Sequence, residues 1–143
     1  MKNMPENTYY LGFRVRPPFP SECSWFAEHP EIAGYASEDG CIVINPEAKL
    51  NSSQIECVCL NEAYRLLMHR WKIVPKISLT SKQRESFRGT SYFDNEDALK
   101  QTIIARILAN DSSAGKITDE QRGYAACLEQ FSEVLAEFNL KNR

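Results

Sequence analysis

An α+β fold weighted toward helix is predicted by three features of this 143-residue sequence. Residues 8–16 (TYYLGFRVR) are aromatic and β-branched, and Asp39-Gly40 separates two short apolar runs. After residue 53, three stretches repeat apolar side chains at helical spacing. Four capping pairs stand at or near the starts of helical stretches. The expected architecture is a small N-terminal antiparallel hairpin or sheet followed by three to four packed helices. One domain, 1–143, would be β-rich over 8–46 and helical over 53–140.

In chain order, 8–16 reads as one strand, ended by Pro17, Pro18 and Pro20. Ser21 is placed to cap a short helix through Trp25 and Phe26 that stops before Pro30. Residues 32–36 and 41–44 form a hairpin about the Asp-Gly turn, because both turn residues tolerate positive φ. The capping pairs are Ser53/Glu56, Thr80/Gln83, Asp94/Asp97 and Thr118/Gln121. In each, a side-chain oxygen can accept an orphan N–H at a helix start while the later side chain reaches back. They predict helices near 53–71, 81–88, 95–110 and 119–139, with Gly89 as a C-terminal cap of the second.

The last stretch, with Tyr124, Cys127, Phe131, Val134 and Phe138, alternates steps of three and four like a coiled-coil seam. Such a stripe serves a helix packed on its own core. It equally serves a helix that builds a homo-oligomer, which makes Tyr124, Phe131, Val134 and Phe138 candidate contact residues.

Composition is that of an ordinary folded domain: 43% hydrophobic, 25% charged, net charge −2. No overall basicity draws the chain to nucleic acid or anionic lipid. No apolar run is long enough to cross a bilayer, and the first residues are polar, so the expected location is the compartment of synthesis. Five cysteines without a CxxC pair read as free thiols in a reducing cytosol. Cys57 and Cys59 would point to nearly opposite sides of a helix and cannot share a metal. No metal, cofactor or catalytic residue is expected, since hydrolase elbows, phosphate loops and dinucleotide fingerprints are all missing.

Two charges fall inside apolar stripes: Glu62 shares a face with Ile55 and Leu66, and Arg106 lies between Ile103 and Ile107. Burial of a lone charge is costly, so the expectation is a structural Glu62–Arg106 ion pair between helices. A general base built from Glu62 with His69, which shares its face, is the catalytic alternative. Residues 62–93 carry seven bases against two acids, between two acidic flanks. Arg65, Arg70, Lys72, Lys76, Arg84 and Arg88, with Trp71 for stacking, form a candidate basic patch. The plainer interpretation is a solvated face that meets acidic parts of this chain or of another copy.

Three stretches are similar to a group of small proteins encoded by tailed bacteriophages. They are 26–46 (FAEHPEIAGYASEDGCIVINP), 61–68 (NEAYRLLM), and 87–92 (FRGTSY) running into 101–114 (QTIIARILANDSSA). The likeness covers about residues 26–121 and implies an origin rather than an activity, because the group offers no site residues to carry over. The expectation is a non-enzymatic phage protein that acts by contact with other phage proteins or with itself, as a minor virion or assembly component. It would sit in the host cytoplasm or in the virion. The alternative is an accessory, anti-defence protein that grips a nucleotide or host protein through the 62–93 segment.

Overall fold

The segment 8–16 turns back on itself. The computed structural model describes residues 8–111, 129–134 and 136–137. In it Tyr9–Tyr10 (β1) and Phe13–Arg16 (β2) pair antiparallel, Tyr10 opposite Phe13. Leu11 and Gly12 between them have φ of 53° and 84°. Two successive left-handed residues make a two-residue turn whose twist matches a hairpin, so the single expected strand is two.

Gly34–Ala36 (β3) and Ile42–Ile44 (β4) form the expected hairpin, with Gly40 at φ 79° and Tyr35 opposite Val43. The sheet order is β1-β2-β4-β3, and β2 runs parallel to β4, with Val15 beside Ile42 and Arg16 beside Val43. The sheet is therefore mixed rather than antiparallel. A helical crossover after β2 explains this, because parallel neighbours need a long connection.

That crossover contains α1, Pro20–Glu28. Its N-cap is Phe19, not Ser21, which lies inside the first turn. Proline suits the first helical position because its missing N–H would have no partner there. The Glu22 carboxylate accepts the Phe19 N–H at 2.8 Å. The helix ends at His29, whose N–H reaches the Trp25 and Phe26 carbonyls at 3.1 Å, just before Pro30.

The chain divides into two compact units, Met1–Leu66 and Leu67–Arg143, and the division falls inside a helix rather than in the 47–52 link. In the first unit, strand alternation assigns the faces. Tyr35 and Val43 face α1, and the Tyr35 ring meets Phe26 edge-on at 5.7 Å. Gly34 and Ile44 face α2, Ser52–Trp71. A β-carbon on Gly34 would lie 2.9 Å from the Val43 carbonyl oxygen and 3.0 Å from Val58 Cγ1, so this close approach requires glycine. Covered on both faces, β4 reads as the uninterrupted apolar run Ile42-Val43-Ile44, every residue at 1% exposure or less. Phe13, Val15, Phe26, Cys59 and Ala63 complete this core.

The start of α2 is capped by Asn51, not Ser53. Asn51 Oδ1 accepts the Gln54 N–H and Gln54 Oε1 accepts the Asn51 N–H, both at 2.9 Å. Asparagine caps as well as serine does, so the box starts two residues earlier than the Ser53/Glu56 pair.

In the second unit, α2 ends in a Schellman closure: Ile73 N–H reaches the Met68 carbonyl at 2.9 Å while Lys72 takes φ 54°. The Thr80/Gln83 box forms as expected and opens α3, Ser81–Glu85. That helix is shorter than 81–88; turns bonded from Phe87 to Arg84 and from Arg88 to Glu85 continue it to Gly89, at φ 85°. Asn95, not Asp94, caps α4, Glu96–Asp111, by accepting the Ala98 N–H at 3.0 Å. Buried residues surround most of α4: Leu99, Thr102, Ile103, Ile104, Ala105, Leu108 and Ala109. Residues 129–134 and 136–137 are helical, within the expected 119–139. The Thr118/Gln121 pair, Tyr124, Cys127 and Phe138 lie outside the described residues. The class is α+β, mostly α. No helix among the described residues is long and apolar enough to cross a membrane.

Candidate functional site

The densest polar cluster belongs to the first unit and was not singled out by the sequence. Alternation along Phe13-Arg14-Val15-Arg16 points Phe13 and Val15 to the α2 side and Arg16 to the α1 side. There Arg16 is 6% exposed. Its Nη1 and Nη2 donate to the two Glu22 oxygens at 2.7 and 3.0 Å, its Nε to Asp39 Oδ2 at 2.9 Å, and Nη1 also to the Pro17 carbonyl at 3.1 Å. Tyr35 donates its hydroxyl to Glu22, and Ser37 donates to Asp39. One guanidinium thus ties β2, α1 and the β3–β4 turn together, with the two-pronged geometry that arginine supplies and lysine does not.

The same bonds set the protonation states. The Arg16 hydrogen bond holds the Glu22 carboxyl below its usual range, against the opposing effect of burial. The Ser37 hydroxyl, then Arg16, lower Asp39. Pairing with Glu22 raises Arg16 further above its already high value. These groups are ionised and saturated with partners, which suits a clamp rather than proton transfer.

Around the clamp lies an aromatic surface. The Arg16 guanidinium stacks 3.8 Å from the Phe19 ring centre, yet Phe19 is 52% exposed. Trp25, 37% exposed, packs against Tyr35 at 5.3 Å and His29 at 4.8 Å between ring centres. Tyr35 is fixed in turn by its bond to Glu22. Large apolar side chains are held in place while still open to solvent, which lowers the entropy lost when a partner covers them.

Glu62 belongs to the first unit and Arg106 to the second, and each has a contact within its own unit. Glu62, 4% exposed, takes Arg65 one turn on, at 3.2 Å. Arg106 is exposed, and its guanidinium lies 4.7 Å from the Phe87 ring centre. Its long stem covers apolar surface while the charge reaches water, so it needs no buried acid. His69 is exposed whereas Glu62 is buried, so the two do not share one environment.

The basic segment is distributed and partly spent. Arg65 falls in the first unit, and Arg70, Trp71, Lys72, Lys76, Arg84 and Arg88 fall in the second. Arg84 is clamped by Glu96, with Nη2 to Oε1 at 2.7 Å, and Arg88 by Glu85, with Nη2 to Oε2 at 2.9 Å. Arg88 also lies 4.9 Å from the Phe93 ring centre. Arg70, Lys72 and Lys76 are exposed, and Trp71 is half-buried.

Of the proposed contact helix, Phe131 and Val134 are 2% and 9% exposed in the single chain, so this part of the stripe is already covered. That corrects the expected role of Phe131 and Val134 as open contacts: these two side chains are spent on folding. Among the described residues the cysteines are free thiols, and no three His, Cys, Asp or Glu side chains converge as metal ligands. Burial pushes the Cys59 thiol up to about 12, which leaves it inert.

No family model, curated protein or solved structure matches the chain.

Proposed function

We propose that this is a non-enzymatic bacteriophage protein that works by protein–protein contact, as a minor virion or assembly component, through the aromatic surface of α1. One observation carries the contact reading: Phe19 and Trp25 keep about half and about a third of their surface open yet are pinned by Arg16 and Tyr35. Rigid aromatic anchors of this kind dominate binding energy at protein interfaces. The phage origin rests on the sequence likeness, whose first stretch, 26–46, holds His29, Tyr35 and Asp39 beside the same surface. The partner is another phage protein or a second copy, met in the host cytoplasm and retained in the particle. The accessory, nucleotide-gripping alternative has less support, because Arg84 and Arg88 already hold Glu96 and Glu85.

The test is mass spectrometry of purified virions and assembly intermediates from the encoding phage, with the wild-type chain and with a Phe19→Ser/Trp25→Ser variant that retains its fold. Presence of the wild-type chain and loss of the variant support the proposal. Absence of the wild-type chain from every particle, together with a monomeric mass by light scattering, overturns it.

A further inference from the structure

Residues 73–79 connect α2 to the cap of α3 without a turn or a bend. Exposure alternates along them: Ile73, Pro75 and Ile77 are buried, whereas Val74, Lys76 and Ser78 are exposed. A period of two is that of a β-strand, and Pro75 keeps Val74 in the extended region. Yet no strand lies beside this segment among the described residues.

The two edges of the segment differ. N–H and C=O groups of alternate residues point to opposite sides of a strand. On the odd-numbered edge, Ile73 N–H is taken by Met68 and Ile73 C=O by Gln101 Nε2 at 2.9 Å, and Pro75 has no N–H. On the even-numbered edge, the N–H and C=O groups of Val74, Lys76 and Ser78 make no hydrogen bond among the described residues. We propose that this edge accepts an extended peptide as an added strand, and that one face of the peptide carries acidic side chains four residues apart with an apolar one between them.

The charge of the exposed face selects the occupant. Lys72, which closes α2 just before the segment, and Lys76 flank Val74, and neither has a carboxylate partner among the described residues. An added strand sets its own alternate side chains beside these, so an acidic-apolar-acidic pattern is complementary. A second copy in antiparallel register would oppose lysine to lysine, which is unfavourable. This surface lies in the second unit and is independent of the α1 reading.

The probe is a ten-residue peptide with glutamate and valine alternating on one face and threonine on the other, titrated into the full chain and followed by backbone NMR. The expected result is saturable binding, with the amides of Val74, Lys76 and Ser78 shifted and protected from exchange. N-methylation of the peptide at alternate amides should abolish binding, because it removes the ladder but not the charge. Lys72→Glu/Lys76→Glu should weaken binding by about tenfold or more and transfer the preference to a lysine-bearing peptide. Equal binding of the N-methylated peptide, or no change at the three amides, overturns the proposal. In that case lysine and proline merely guard the edge against pairing.

Discussion

Two arginines in this protein are gripped by carboxylates with similar geometry but different surroundings. Arg16 and Glu22 have side chains 7% and 12% exposed; for Arg84 and Glu96 the values are 42% and 44%. Both pairs are two-pronged, so the pattern of hydrogen bonds does not separate them; solvent does. Water screens the second pair and competes for each partner, so it contributes little net stability. The first pair has given up its water, and removal of one member strands the others in a low-dielectric setting. The first unit is therefore expected to depend on its clamp more than the second does.

Arg16→Met sharpens this contrast most. It leaves the Glu22 carboxylate without its charge partner and removes one of the Asp39 contacts, and it should cost about 3 kcal/mol of unfolding free energy, read by urea denaturation. An unchanged midpoint would show that the clamp is already solvated, and the distinction between the units would collapse. Glu22→Gln should cost less, because an amide oxygen still accepts from Arg16 and Tyr35.

Acid provides the next test. Glu22 and Asp39 titrate lower in the folded chain than in the unfolded one. Their contribution is therefore complete above the unfolded values, near 4, and drains away as pH falls from there through the folded values. Trp25 fluorescence in a Trp71→Phe background reports the first unit, since Trp25 stacks on Tyr35. It should show an acid transition that 0.5 M salt leaves in place. A transition that shifts strongly with salt would assign it to exposed charges instead.

Much of the fold is legible because it rests on local chemistry. The Thr80/Gln83 box and the turn at Gly40 depend on residues adjacent in the chain, and both form as expected. Asparagine displaces two of the expected caps, since Asn51 and Asn95 cap where Ser53 and Asp94 do not, and at α1 Pro20 starts the helix ahead of Ser21. The hairpin at Leu11-Gly12 was hidden because leucine gives no signal for a left-handed turn. The clamp was invisible for another reason. Glu22 lies only six residues from Arg16, but Asp39 reaches it through the parallel pairing of β2 with β4, a non-local event that no spacing encodes. One signal did exist: an arginine at an inward position of an alternating strand demands an acid, as Glu62 demanded Arg65.

Lys72 carries the same lesson at smaller scale. It stands at φ 54° where helices favour glycine, so the closure of α2 bears strain. Lys72→Gly should stabilise the second unit by about 0.5 kcal/mol, after the entropy that glycine adds to the unfolded chain. A loss would mean that the lysine side chain makes a contact worth more than the strain.

Glu96→Gln closes the comparison from its weak side. Arg84 holds Glu96 below its usual carboxyl value, yet both side chains are open to water. The amide should therefore leave the urea midpoint within experimental error and remove what little salt dependence the pair gives the second unit. If Glu96→Gln proves as damaging as Glu22→Gln, exposure is not what separates the two clamps. The Arg84–Glu96 pair would then have to hold α3 to α4 cooperatively, together with Lys100, which lies 3.9 Å from the same carboxylate. Arg84→Met and Lys100→Met, singly and together with Glu96 intact, decide between these accounts: additive losses leave the pairs independent, and a non-additive loss makes them one network.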